Sequence, residues 1–116
     1  MKPEQFEKLV KKFQEKEEEI MDWKAGEYSD KEDRLLNFRQ IAEISKLEMS
    51  EVALVFLLKH IQSITYAVMT RQVKWCWKDE YGEGTKQRIA DARNLLKLLS
   101  GCLEEEYEGR NGRNEQ

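Results

Sequence analysis

Ser50-Glu51-Val52-Ala53-Leu54-Val55-Phe56-Leu57-Leu58-Lys59-His60 decides the fold of this chain. Ser50 is a good helix N-cap, and Glu51 is favourable in a first turn, where free backbone N–H groups attract negative charge. The seven residues from Val52 to Leu58 are apolar without the alternation of a half-buried strand, so the segment reads as a helix. A helix that is apolar nearly all round belongs at the buried centre of a bundle. Ile61, Ile64, Tyr66, Ala67 and Val68 carry it to about Gln72. The run from Val52 to Leu58 is much shorter than the roughly 20 apolar residues a bilayer span needs.

Three more helices join it. Phe6, Leu9, Val10, Phe13, Ile20 and Met21 recur at helical spacing from Pro3 to about Trp23, with lysines and glutamates opposite. The four carboxylates between Glu15 and Glu19 read as a solvated face paired with nearby lysines. Ala25-Gly26-Glu27-Tyr28-Ser29-Asp30 reads as the turn that ends this helix. Leu35, Leu36, Phe38, Ile41, Ala42 and Ile44 predict a helix from about Lys31 to Leu47. Thr85 can cap a last helix whose stripe is Ile89, Ala92, Leu95, Leu96, Leu99, Cys102 and Leu103. Trp75-Cys76-Trp77 through Gly84 is the connection before it, and the polar end after Glu108 is expected to fray. The expectation is an all-α four-helix bundle in one domain over residues 1–108, with a flexible tail over 109–116.

Composition supports this and excludes several functions. The chain has 116 residues, 37% charged and 40% hydrophobic, with one proline. A net charge of −3 and a pI of about 5.4 give no electrostatic reason to expect duplex nucleic acid as a partner. The N-terminus is charged from Lys2 onward, unlike a signal peptide, so a soluble cytoplasmic protein without a membrane partner is expected. Two cysteines and one histidine are too few for a structural zinc site, and Cys102 falls on the apolar stripe as a core residue.

Polar residues at the edge of the predicted core carry the functional reading. They are Arg34 and Asn37, Lys59 and His60, and Asp91 and Asn94. Burying such groups without partners costs roughly 1–3 kcal/mol each, so they need partners or a ligand. Arg34 can hold a phosphate in two-pronged fashion and Lys59 as a point charge. His60 can donate or accept a hydrogen bond and orient a reacting group. Asp91 can ligate Mg²⁺, with Glu51 as a helper, while Asn37 and Asn94 can read a base or a sugar. Blander readings exist for each: Lys59 reaching to solvent, His60 packing at a helix edge, and Asp91 pairing with Arg88.

Tyr28-Ser29, Asp33-Arg34-Leu35-x-Asn37-Phe38, Ser50-Glu51-x-Ala53, Lys59-His60-x-x-Ser63-Ile64 and Ala90-Asp91-Ala92-x-Asn94 together resemble a group of small phage and prophage proteins. That group is related to the all-α nucleotide pyrophosphohydrolases, the MazG and dimeric dUTPase-like superfamily. The resemblance covers roughly residues 25–105 and leaves out the first helix. It implies a MazG-like bundle that splits nucleoside triphosphates into monophosphate and pyrophosphate. It also implies Mg²⁺ held by carboxylates on facing helices, and sites built at the contacts of a homo-oligomer.

Two departures bear on turnover. Arg88 and Gln87 occupy positions where the superfamily has a carboxylate before the last-helix aspartate, and Thr65-Tyr66 stands where the phage relatives carry an acid. Three readings therefore stand: a Mg²⁺-dependent hydrolase working through Asp91 and His60, a nucleotide binder that has lost catalysis, and an interaction module docking through Trp75, Trp77 and Tyr81, such as a phage inhibitor of a host factor.

Overall fold

A computed structural model describes the backbone of residues 1–28 and 32–111 and the side chains of residues 1–24 and 32–108. Its described residues form four helices: α1 (Pro3–Tyr28), α2 (Leu36–Ser45), α3 (Met49–Met69) and α4 (Thr85–Asn111). The only strands among them are β1 (Lys78–Asp79) and β2 (Gly82–Glu83), paired as a minimal antiparallel hairpin. The all-α fold read from the sequence is the fold observed.

The helix ends differ from the expectation, each for a local reason. α1 continues through Ala25–Tyr28, where a turn was expected. Ser29, Asp30 and Lys31, the rest of that turn and the expected start of the next helix, lie outside the described residues. α2 begins only at Leu36, because the Asp33 carboxylate accepts the Leu35 N–H at 3.0 Å and folds the backbone into a turn first. It stops at Lys46, whose φ of 59° is left-handed, with the Leu47 N–H closing on the Ala42 carbonyl at 3.1 Å. Ser50 is not the cap of α3. Glu48 holds that place, and its N–H donates to the Glu51 carboxylate at 2.9 Å, one half of a capping box. Ser50 lies inside the helix and donates through its N–H and hydroxyl to Glu106, at 3.0 and 2.8 Å. Arg71, again left-handed, ends α3 before Gln72.

Thr85 opens α4, but backbone carbonyls satisfy the helix start. Lys74 O accepts the Thr85 N–H at 2.8 Å, and Cys76 O accepts the Lys86 N–H at 3.2 Å. The connection is thereby folded back onto the helix it precedes, and Gly84 is pressed against Cys76. α4 runs on to Asn111, into the stretch expected to fray, and residues 112–116 lie outside the described ones.

α3 and α4 are the central pair, with α4 packed also against α1 and α3 also against α2, and α4 contributes to two apolar clusters. Leu35, Phe38, Ala42, Val52, Ala53 and Cys102 make one; Phe13, Ile20 and Ala90, with Trp77 against them, make the other. α3 buries only Val52, Ala53 and Leu57. Its opposite face, Leu54, Leu58, Ile61 and Val68, is open to solvent, with Leu58 54% and Ile61 43% exposed. α3 is also the only described helix long and apolar enough to cross a bilayer. A single helix of this kind, packed on α4 and carrying Glu51, Lys59 and His60, is compatible with a soluble protein.

Cys102 is fully buried, as expected. Burial first, then Glu106 and Glu105, push its thiol up to about 11, so it stays protonated and packs as a small apolar residue.

Candidate functional site

Between α1, α2, α3 and α4 lies a cavity of about 490 Å³, within the size range of small-molecule sites. Arg34, Asn37, Lys59, His60, Asp91 and Asn94 all line it. Six polar positions chosen along 61 residues of sequence thus converge on one space. The seventh does not. Glu51 is held in the capping box of α3, more than two turns before Lys59, and is not among the lining residues.

The walls combine two characters. Ile20, Met21, Phe38, Leu95 and Leu98 supply apolar surface, and Trp23 and Phe56 supply aromatic rings able to stack on a planar group. Around them stand the cations Lys24, Arg34 and Lys59. Neither Arg34 nor Asn37 has a hydrogen-bond or ion-pair partner among the described residues, and Lys59 makes only a cation–π contact, its Nζ 5.6 Å from the Phe56 ring. His60 Nδ1 is buried without a hydrogen-bond partner. Burial lowers the His60 pKa, and Arg88 and Lys24 act in the same direction against Asp91 and Glu83, so the ring is neutral at pH 7. A neutral imidazole with a free nitrogen is a ready hydrogen-bond partner for a ligand.

Asp91 and Asn94 are 4% and 5% exposed, and both already have work within the fold. The Asp91 Oδ1 accepts from Gln87 Nε2 at 3.2 Å and lies 3.6 Å from Lys24 Nζ. Arg88, the partner suggested by spacing, pairs instead with Glu83 at 3.3 Å. Asn94 Nδ2 donates to the Glu17 carbonyl at 2.9 Å, fastening α4 to α1. Beside it, Glu17 is 0% exposed and so corrects the reading of residues 15–19 as a wholly solvated face. Lys97 Nζ donates to Glu17 Oε1 at 3.0 Å, and Arg93 Nε lies 2.6 Å from Oε2 without an aligned hydrogen bond.

The donor set does not fit a resident Mg²⁺. Among the described residues no group of three or more His, Cys, Asp or Glu side chains gathers where it could hold a metal ion. The two acids on the cavity wall, Asp91 and Glu83, each already face a cation.

The aromatic connection divides in two. Trp77 packs on Phe13, with ring centroids 4.9 Å apart, and Trp75 meets the same ring at 6.2 Å but stays half exposed, while Tyr81 is exposed. Lys86 lies over both tryptophan rings.

Fold and cavity together define an all-α four-helix protein with a half-open pocket of cations, amides and aromatic rings between its helices. No family model, curated protein or solved structure matches the chain.

Proposed function

We propose that this protein binds a nucleotide, or a close relative carrying a ring and phosphates, in the cavity between its four helices. The observation that carries this is the pairing of uncommitted cations with aromatic walls in one half-open cavity. Arg34 and Lys59 take the phosphates, Trp23 and Phe56 flank the base, and Asn37 and His60 supply hydrogen bonds. Asp91 and Asn94 shape the wall through bonds they already make. A distant kinship with the MazG-like bundles fits this reading, with binding kept and turnover lost. A soluble cytoplasmic setting, without duplex nucleic acid, suits such a ligand.

The test is titration calorimetry with a panel of nucleoside triphosphates, with pyrophosphate assayed in the same samples. The expected result is binding without pyrophosphate release. Arg34→Ala and Lys59→Ala each weaken it about ten-fold, roughly 1.4 kcal/mol. Pyrophosphate release would replace the binder by the hydrolase. An absence of any binding would overturn the nucleotide reading and turn attention to Trp75 and Tyr81 as a protein-docking surface.

The partner proposed for the open face of α3 is a second copy of the chain. Leu54, Leu58, Ile61 and Val68 recur at helical spacing along one stripe, about half a turn round the helix from Phe56 and His60. Two such stripes can face each other about a two-fold axis without closing the cavity. Size-exclusion chromatography with light scattering is expected to give a dimer for the native chain and a monomer for Ile61→Glu. A native monomer would refute the pairing.

A further inference from the structure

We infer that the cavity accepts its phosphate ligand as the metal-free anion, and that Asp91 works there as a fixed opposing charge that limits affinity rather than as a cation ligand. The inference rests on the phosphate-binding reading above and specifies what that site takes.

Charge placement is the reason. The lining side chains bring three cations, Lys24, Arg34 and Lys59, against two carboxylates, Asp91 and Glu83. Glu83 is answered by Arg88 at 3.3 Å. Asp91 is answered by Lys24 at 3.6 Å and by the Gln87 amide at 3.2 Å, both on the same oxygen. A divalent cation on Asp91 would sit within a few ångströms of the Lys24 ammonium. Like charges that close repel strongly in a partly desolvated site. Mg²⁺ also demands near-ideal octahedral oxygen coordination, whereas Asp91 has already spent one oxygen on nitrogen donors. Glu51, the other acid a metal could recruit, is engaged at the start of α3.

Arg34 and Lys59, by contrast, have no carboxylate partner among the described residues. They supply the charge neutralisation that a metal gives to phosphates elsewhere, and they do so best for a ligand that has not already bound Mg²⁺. The Asp91 carboxylate shares that space with the incoming anion. Its field opposes the anion, while its contact with Lys24 holds that ammonium at the cavity wall. Removing the charge but keeping the shape therefore favours anion binding.

The experiment is calorimetric titration of the full chain with inorganic pyrophosphate and with ATP, in EDTA and again in excess Mg²⁺, for the native protein and Asp91→Asn. Circular dichroism melts establish that the variant is folded. The expected result is tighter binding in EDTA than in Mg²⁺ and a several-fold gain in metal-free affinity for Asp91→Asn. Should Asp91→Asn fail to fold, Lys24→Gln serves instead and weakens metal-free binding several-fold. Binding that strengthens with Mg²⁺, or an Asp91→Asn affinity that is unchanged or lower, overturns the inference while leaving the phosphate site standing. No binding of either probe under either condition overturns the phosphate site itself, and the inference with it.

Discussion

Replacing Arg93 and Lys97 together by methionine lowers the unfolding free energy by about 4 kcal/mol, the range found when a buried charge loses its partners. Glu17 is completely enclosed between α1 and α4, and these two cations are the groups that answer its carboxylate. Methionine keeps much of the aliphatic length of both side chains, so the change isolates charge from packing. The reverse substitution, Glu17→Gln, costs much less, because Arg93 and Lys97 are nearly half exposed and return to water when released. Urea denaturation at neutral pH measures both, and an unchanged slope shows that the same structure unfolds. A loss of about 1 kcal/mol or less for the double variant would place this cluster among ordinary surface ion pairs and refute the account.

Gly84→Ala is the second large effect, expected to cost about 3 kcal/mol. A Cβ at this position overlaps the Cys76 carbonyl oxygen and comes within 2.6 Å of its Sγ. The sulfur can be removed, but the carbonyl is backbone and accepts the Lys86 N–H at the start of α4. Moving it away breaks the arrangement that satisfies that helix start. Cys76→Ala therefore restores only part of the loss in the double variant. Thermal unfolding followed by circular dichroism decides the matter, and a Gly84→Ala protein that melts with the native chain would show that the connection moves freely off α4.

The sequence reveals the helices because long apolar stripes at 3.6-residue spacing have few other solutions. It reveals their ends poorly. Ser50 is as good a cap in isolation as Glu48 is unusual, and only the position of Glu106, 56 residues away, shows where the Ser50 hydroxyl belongs. The apolar run of α3 predicts a central helix buried nearly all round. α3 shares that position with α4, whose small buried Ala90 and Ala92 allow close approach, while one face of α3 stays open to solvent. Six of the seven proposed site residues line one cavity, because polar groups that interrupt apolar stripes fall where the packed core gives way to open space. The same rule, applied to α1, finds Glu17 and Lys24. Phe13, Glu17, Ile20 and Lys24 follow one another at i, i+4, i+7 and i+11, so both charged residues share the face that carries the buried Phe13 and Ile20. Three neighbouring carboxylates, Glu15, Glu18 and Glu19, disguised Glu17 as part of a solvated face. Glu51 fails for a different reason: its carboxylate accepts the Glu48 N–H at the start of α3 and does not line the cavity.

α1 meets the rest of the protein chiefly along a single seam with α4, closed by Phe13, Ile20 and the Glu17 cluster. Segments held along one seam open as separate cooperative units, at a cost set by that seam alone. Ile20, Met21, Trp23 and Lys24 of α1 nevertheless form one wall of the cavity, while Phe56, Lys59 and His60 of α3 form another. A molecule seated between them is a second seam, tying the first helix to the third. Occupancy of the pocket is thus written into the amide-exchange protection of a helix near the chain terminus: free protein releases its α1 amides to solvent early, and filled protein retains them until the whole bundle opens.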